Sequence, residues 1–205
     1  MAPLDPDRVR ANLAEVRAEV GDGVEILAAT KYVPLEEIGV LAEAGVTLAG
    51  ENRAQDLEAK AAAHPELTWD FIGRLQSRKV KEVLPHVRYV HSVASESALE
   101  QLGRHGTPET RVLLQVNVAR EEGKAGVDPD ELPAFLERAP VEVVGLMTMP
   151  PAAERPEDSR RWFAALRELA GQHGLRELSM GTTQDYAVAA QEGATIVRIG
   201  SRLYA

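Results

Sequence analysis

The sequence contains no cysteine, which excludes disulfide bonds, thiol catalysis and cysteine metal ligands. Its five histidines stand in none of the spacings of a zinc site. No apolar run approaches the roughly 20 residues of a membrane span, and the first residues lack the charged and apolar segments of a secretion signal. These absences favour a cytoplasmic protein without a metal or a membrane segment.

Positive charge is scarce as well. The 23 basic residues face 32 acidic residues, for a net charge of −9, and the longest basic cluster is 78–81. A nucleic-acid-binding protein needs a basic face, and so does a protein that binds an anionic membrane surface. We therefore expect neither nucleic acid nor membrane as a partner.

Eight short apolar runs alternate with amphipathic stretches along the chain. The runs are nearly continuous, as in strands that are covered on both faces. Before the first run, Asp5 and Pro6 predict the cap and first turn of an additional helix. The predicted strands are 24–30, 47–51, 68–73, 89–93, 112–118, 143–149, 177–180 and 195–200.

This alternation predicts an α/β fold of right-handed βαβ units. Eight units after one extra helix predict a closed (β/α)8 TIM barrel, with residues 1–205 as a single domain and 149–156 as a long loop. We expect a monomer. An open doubly wound sheet is the alternative, but the chain lacks a dinucleotide glycine fingerprint.

Lys31, one of only five lysines, directly follows the first apolar run. In a parallel barrel, the catalytic face lies at the carboxyl ends of the strands. A lysine partly desolvated there has a lowered pKa, and its neutral amine can attack a carbonyl group. Lys31 therefore predicts Schiff-base chemistry, unless it is a solvated lysine that merely ends a strand.

The last two strand ends predict a phosphate cradle, in the place where barrels commonly bind phosphate. Glycines there let backbone N–H groups approach phosphate oxygens, and hydroxyl groups add donors. Thr183 is expected to cap the helix that follows. The cradle residues are Ser179, Gly181 and Thr182 after the seventh strand, and Gly200 and Ser201 after the eighth.

Arg198 shares its strand face with Gly200 and is expected one layer below it, in the barrel lumen. A buried guanidinium requires an acceptor. Two acceptors remain open at this point: a bound ligand, or a carboxylate at a strand end such as Glu51.

Four more residues at strand ends are weaker candidates. His91 and Met147 are ligand contacts or core residues. Asn52 and Asn117 bind a ligand oxygen or cap the following helix.

Several short motifs recur in order over the whole chain and resemble one family. They are Ala-Ala-Thr-Lys at 28–31, Gly-Glu-Asn-Arg at 50–53, Phe-Ile-Gly-Arg-Leu-Gln at 71–76, His-Ser-Val at 91–93, Gly-Leu-Met-Thr-Met-Pro at 145–150, Leu-Ser-Met-Gly at 178–181 and Val-Arg-Ile-Gly-Ser at 197–201. In these motifs the chain resembles the pyridoxal 5′-phosphate homeostasis proteins, single-domain relatives of the barrel half of alanine racemase.

The resemblance implies that Lys31 carries pyridoxal 5′-phosphate as an internal aldimine and that Arg198 faces its pyridine nitrogen. Asn52 would lie near the ring. The implied role is intracellular homeostasis and supply of the cofactor, with apo-enzymes as candidate recipients, and not catalysis. The implied phosphate ligands are Ser179, Gly200 and Ser201.

The chain departs from the family pattern at a few positions. The family usually has histidine in place of Arg74 and asparagine in place of Arg78. It usually has Met-Ser where this chain has Thr182-Thr183, and Thr183 keeps the hydroxyl group. The two arginines add positive charge beside the third strand.

We expect a carrier rather than a catalyst. An arginine cannot accept a proton, so Arg198 favours an unprotonated pyridine nitrogen, which is a weak electron sink. Racemisation also needs a second acid–base group opposite Lys31, which a second domain supplies in alanine racemase. The alternatives are a weak amino-acid racemase or decarboxylase, and a Schiff-base aldolase with a sugar phosphate in the cradle.

Overall fold

The computed structural model describes residues 3–205; Met1 and Ala2, which the predicted domain includes, lie outside the described residues. Eight strands form one closed barrel in chain order, and all neighbouring strands are parallel. The predicted (β/α)8 barrel is confirmed. The strands are β1 (Glu25–Ala29), β2 (Leu48–Glu51), β3 (Thr68–Phe71), β4 (Tyr89–Val93), β5 (Arg111–Gln115), β6 (Glu142–Met147), β7 (Glu177–Thr182) and β8 (Ile196–Ile199).

Helices cover the outside of the barrel, and short 3₁₀ turns lead into several of them. The α-helices of residues 3–205 are α1 (Pro6–Val20), α2 (Ile38–Glu43), α3 (Ala54–Ala63), α4 (Val80–Val83), α5 (Glu96–His105), α6 (Leu132–Arg138), α7 (Arg160–Gln172), α8 (Tyr186–Gln191) and α9 (Ser201–Tyr204).

Helix α1 is the predicted additional helix. The Asp5 side chain accepts a hydrogen bond from a backbone N–H of the first turn at 3.0 Å, and Pro6 is the first helical residue. Gly21 ends the helix with a φ of +81°. Asn12 donates hydrogen bonds to two backbone carbonyls at the C-terminal end of the chain, both at 3.1 Å. These bonds hold α1 beside α9, near the junction of β8 with β1.

The barrel wall divides the apolar core. Most buried apolar side chains form one cluster, which includes residues of both the helices and the strands. Leu27, Leu48 and Ile196 form a separate small cluster, and the register places Leu27 and Arg198 side by side on neighbouring strands. The interior of the barrel therefore combines an apolar part with a polar part. The buried polar residues that matter for the site are Glu51, Asp70, His91, Ser179 and Arg198.

Some predicted strands extend beyond the observed ones. β5 ends at Gln115 rather than at 118, because Val116 leaves the strand and forms an isolated bridge with Val127. β6 ends at Met147, and the predicted loop 149–156 ends one residue earlier, because a 3₁₀ turn begins at Pro156. Within residues 3–205, no helix has the length and apolar character needed to span a membrane.

Candidate ligand-binding site

A cavity of about 690 Å³ opens at the carboxyl ends of the barrel strands. It brings together residues from strands that are far apart in the sequence. Four predicted residues, His91, Asn117, Ser179 and Gly181, are not part of its lining. The predicted residues that line it are Lys31, Asn52, Met147, Thr182, Arg198, Gly200 and Ser201; others include Tyr32, Arg74, Gln115, Met149, Thr183 and Tyr204.

Lys31 comes two residues after the last residue of β1, and its side chain is exposed at the cavity. Its Nζ lies 4.7 Å from the centre of the Tyr32 ring, which is a cation–π contact. The prediction that burial desolvates this amine is therefore wrong, because Lys31 lies beyond the strand, at the open mouth of the cavity. The amine is accessible to a ligand.

A buried ion pair supports the residue that precedes Lys31. The Lys60 Nζ lies 2.6 Å from Glu51 Oε2 and donates a hydrogen bond to the Thr30 carbonyl at 2.9 Å. The Thr30 hydroxyl donates to the same Glu51 oxygen at 2.9 Å. Both charged side chains are buried and hydrogen-bonded, as buried charges must be. The pair therefore fixes the end of β1.

Sequence reasoning missed this pair, because Lys60 lies outside the predicted strands and their ends. Lys60 does lie on a helix, α3, but its long side chain reaches β1. A signal was present: Lys60 follows Leu57 by three residues, so it lies on the buried stripe of α3.

Arg198 is buried and points into the cavity from β8. Its Nη1 donates to Ser179 Oγ at 2.5 Å, and its Nη2 donates to the Thr148 carbonyl at 2.9 Å. Burial lowers the pKa of Arg198 to about 10, an effect that the charge of Asp185 partly offsets. The guanidinium thus stays charged at neutral pH. The alternative ion pair with Glu51 is wrong, because that carboxylate pairs with Lys60.

His91 and Ser179 lie beneath Arg198 rather than on the cavity wall. Ser179 Oγ is 2.8 Å from His91 Nδ1, and His91 Nε2 is 3.0 Å from Asp70 Oδ2. Burial lowers the pKa of His91 below its ordinary value, although the hydrogen bond to Asp70 opposes this. The geometry gives both residues an indirect position, supporting Arg198.

The corner of the cavity between β7 and β8 contains hydroxyl groups and backbone N–H groups. The Gly200 N–H donates to Thr183 Oγ1 at 3.2 Å, and the exposed Ser201 lines the same region. A Cβ added to Gly200 would meet nothing closer than Ala29 Cβ, at 3.9 Å, so this position is open. The prediction that Thr183 caps α8 is wrong, because that helix begins only at Tyr186.

Two predicted residues have structural roles instead. Gly181 has a φ of +88°, and a Cβ there would lie 2.5 Å from Ala189 Cβ. It therefore serves the close packing of α8 on β7. Asn117 neither lines the cavity nor caps a helix; its side chain exchanges hydrogen bonds with the backbone of Glu121 and closes a loop.

Asn52 and Met147 line the cavity as predicted. The Asn52 side-chain oxygen is buried and has no hydrogen-bond partner among the described residues. A buried acceptor without a donor is costly, so this atom suits a ligand that supplies a donor.

The cavity mouth is positively charged, in contrast to the net charge of −9. Arg74 lines the cavity and Arg78 lines an adjoining groove that shares Arg74 with it. Within residues 3–205, no ion pair includes Lys31, Arg74 or Arg78. The cavity thus offers an amine, a buried guanidinium and a hydroxyl-rich corner, an arrangement that suits an anionic ligand with a carbonyl group.

Comparisons with known proteins agree with this geometry. Residues 4–205 match the family model of the alanine racemase N-terminal domain, so the barrel is of the alanine racemase type. The pyridoxal phosphate homeostasis protein of Aquifex aeolicus is 40% identical over 195 residues, which cover 88% of this chain and 86% of that protein. The one of Deinococcus radiodurans is 39% identical over 208 residues, covering 96% and 98%.

A solved structure gives the same result. PipY of Synechococcus elongatus PCC7942, whose structure was solved with PLP bound, superimposes with a TM-score of 0.83 at 33% identity, covering 96% of this chain and 100% of PipY. The chain therefore belongs to the family of pyridoxal phosphate homeostasis proteins.

Proposed function

We propose that this protein binds pyridoxal 5′-phosphate in the cavity, holds it covalently on Lys31 and takes part in its intracellular homeostasis and supply. The observation that carries the proposal is the convergence of Lys31, Arg198 and the Gly200–Ser201 corner on one cavity. When bound, pyridoxal phosphate supplies an aldehyde that an amine can hold and an aromatic ring whose nitrogen can take up charge.

The chemistry of the lining residues fits this ligand. The Lys31 amine is accessible. Arg198 offers N–H donors from a buried position, and Ser201 with Thr183 offers hydroxyl groups to a phosphate. Asn52 adds a buried side-chain oxygen that accepts no hydrogen bond from the described residues. Met147 contributes an apolar side chain to the cavity wall. His91, Ser179 and Gly181 lie behind the residues that line the cavity.

The same residues favour binding over turnover. Arg198 has donors only and cannot take up a proton. The Tyr204 hydroxyl donates to the Ala29 carbonyl at 3.0 Å, and burial raises the pKa of Tyr204 well above its ordinary value, so it keeps its proton. Among residues 3–205, no side-chain carboxylate or imidazole lines the cavity as a second acid–base group. A weak racemase or decarboxylase is the alternative.

The finer parts of the proposal rest on the sequence. We propose that the protein is a single domain, a monomer and cytoplasmic, and that apo forms of cofactor-dependent enzymes receive pyridoxal 5′-phosphate from it. The negative net charge and the absence of a basic face support a soluble partner over a nucleic acid or a membrane.

The test is reconstitution with pyridoxal 5′-phosphate followed by borohydride reduction and peptide mapping. We expect the adduct on Lys31, a loss of the visible absorption in Lys31→Ala, and no change in Lys81→Ala, which removes an exposed lysine. An adduct on another lysine would contradict the assignment. Steady D/L-alanine exchange that is lost in both Lys31→Ala and Arg198→Ala would make the protein a racemase.

A further inference from the structure

A chain of buried hydrogen bonds runs from Arg198 into the barrel, away from the cavity. It passes through Ser179 and His91 to Asp70, with heavy-atom distances of 2.5, 2.8 and 3.0 Å. Ser179, His91 and Asp70 are each fully buried. None of these three residues lines the cavity, and their hydrogen-bond chain reaches it through Arg198.

Arg198 at one end and the Asp70 carboxylate at the other together fix the direction of every bond in this chain. A guanidinium can only donate, so Ser179 Oγ must accept from it. The Ser179 hydroxyl hydrogen then has His91 Nδ1 as its acceptor. The Asp70 carboxylate can only accept, so the neutral His91 ring carries its proton on Nε2, and this leaves Nδ1 free to accept from Ser179.

Asp70 is itself held in place. Arg88 donates to its two carboxylate oxygens at 3.1 and 2.7 Å, and the Tyr89 N–H donates at 3.1 Å. Arg88 also binds Glu25 at the outer end of the same network. The carboxylate therefore cannot turn, and it fixes the His91 ring.

We propose that Asp70, His91 and Ser179 are positioning residues that form a one-directional relay and hold the Arg198 guanidinium in its cavity-facing orientation. The relay is a property of the folded chain. Its consequence for pyridoxal phosphate rests on the proposed function: a guanidinium that is already ordered loses less conformational freedom when the ligand binds.

The first test uses the ligand-free protein and does not depend on the proposed function. Nitrogen NMR of the imidazole should show His91 as the neutral tautomer with the proton on Nε2 and a hydrogen-bonded Nδ1. In Ser179→Ala, the Nδ1 signal should move toward that of an unbonded nitrogen. A proton on Nδ1 in the wild-type protein would overturn the relay.

The second test measures pyridoxal phosphate affinity in a double-mutant cycle. Ser179→Ala should weaken binding about tenfold, which corresponds to the loss of one hydrogen bond to a charged group. It should have no further effect in an Arg198→Ala background, because Ser179 acts through Arg198. Glu25→Gln, which changes only the outer end of the network, should bind like the wild type.

The outcomes separate the two proposals. Wild-type protein that does not bind pyridoxal phosphate would refute the proposed function but leave the tautomer result valid. Binding by the wild type together with unchanged affinity in Ser179→Ala, or with fully additive losses in the double variant, would refute the relay.

Discussion

At the residue scale, Ser201 tests the position of the phosphate. It is exposed in the cavity corner next to Gly200. Ser201→Asp should weaken cofactor binding strongly, because a carboxylate beside a phosphate adds like-charge repulsion. Ser201→Ala should cost only about 1 kcal/mol, for one lost hydroxyl hydrogen bond. Titration of both variants checks this; equal affinities would place the phosphate elsewhere.

His91 gives a pH dependence at the same scale. Burial lowers its folded-state pKa below the ordinary 6.5. The unfolded chain therefore binds more protons as the pH falls through that value, and the free energy of unfolding decreases. Burial alone would raise the pKa of Asp70, but the His91 and Arg88 bonds outweigh it and lower this pKa, which adds a further loss in more acidic solution.

Urea unfolding between about pH 7.5 and about pH 5 measures this effect. We expect His91→Gln to remove the part of the slope just below pH 6.5, since an amide does not titrate in this range. His105→Gln, which removes an exposed histidine, should keep the slope of the wild type. A slope that is unchanged in His91→Gln would contradict the assignment.

At the scale of elements, a crowded glycine beside α8 and an uncrowded glycine within α7 test how tightly the helices pack. Gly181 lies in β7, close to α8, and has a positive φ. An added Cβ would collide with Ala189. Gly171 lies within α7, and an added Cβ would meet no atom within 4 Å.

Gly181→Ala should therefore destabilise the fold by roughly 1–3 kcal/mol, through strain and overpacking. Gly171→Ala should stabilise it by up to roughly 1 kcal/mol, because alanine loses less backbone entropy in a helix. The urea midpoints of the two variants should move in opposite directions with an unchanged m-value. A urea midpoint in Gly181→Ala that is equal to or above that of the wild type would mean that α8 adapts freely.

At the scale of the whole molecule, charge is unevenly distributed. The chain carries a net charge of −9, yet Lys31 and Arg74 at the cavity and Arg78 in the adjoining groove form no ion pair within residues 3–205. Such a local positive field raises the encounter rate of an anionic ligand and weakens as salt increases.

Replacing the two arginines by the residues usual in the family tests this effect. Arg74→His with Arg78→Asn should slow pyridoxal phosphate association several-fold at low salt and flatten its salt dependence, while the dissociation rate changes less. Arg104→Asn with Arg111→Asn removes equal charge near the amino ends of the strands and should leave association unchanged. Stopped-flow measurements at two salt concentrations distinguish the variants. Equal slowing in both would indicate a general charge effect.

The sequence by itself determined the barrel and several of the residues that line the cavity. Strand and helix periodicities are local, so the alternation of apolar runs was sufficient for the (β/α)8 fold. Because parallel strands end at one face, it was also sufficient to place Lys31, Asn52, Arg198 and Ser201 at the cavity.

Only the tertiary structure decided which polar groups become partners. His91 and Ser179 are 88 residues apart in sequence. Lys60 pairs with Glu51 from α3, and the sequence of that helix indicates only which of its faces is buried. Such pairings depend on strand register and side-chain reach within a closed barrel, which no local pattern encodes. For this reason Glu51 could not be excluded as the partner of Arg198 from the sequence, and Asp70 and Lys60 were missed.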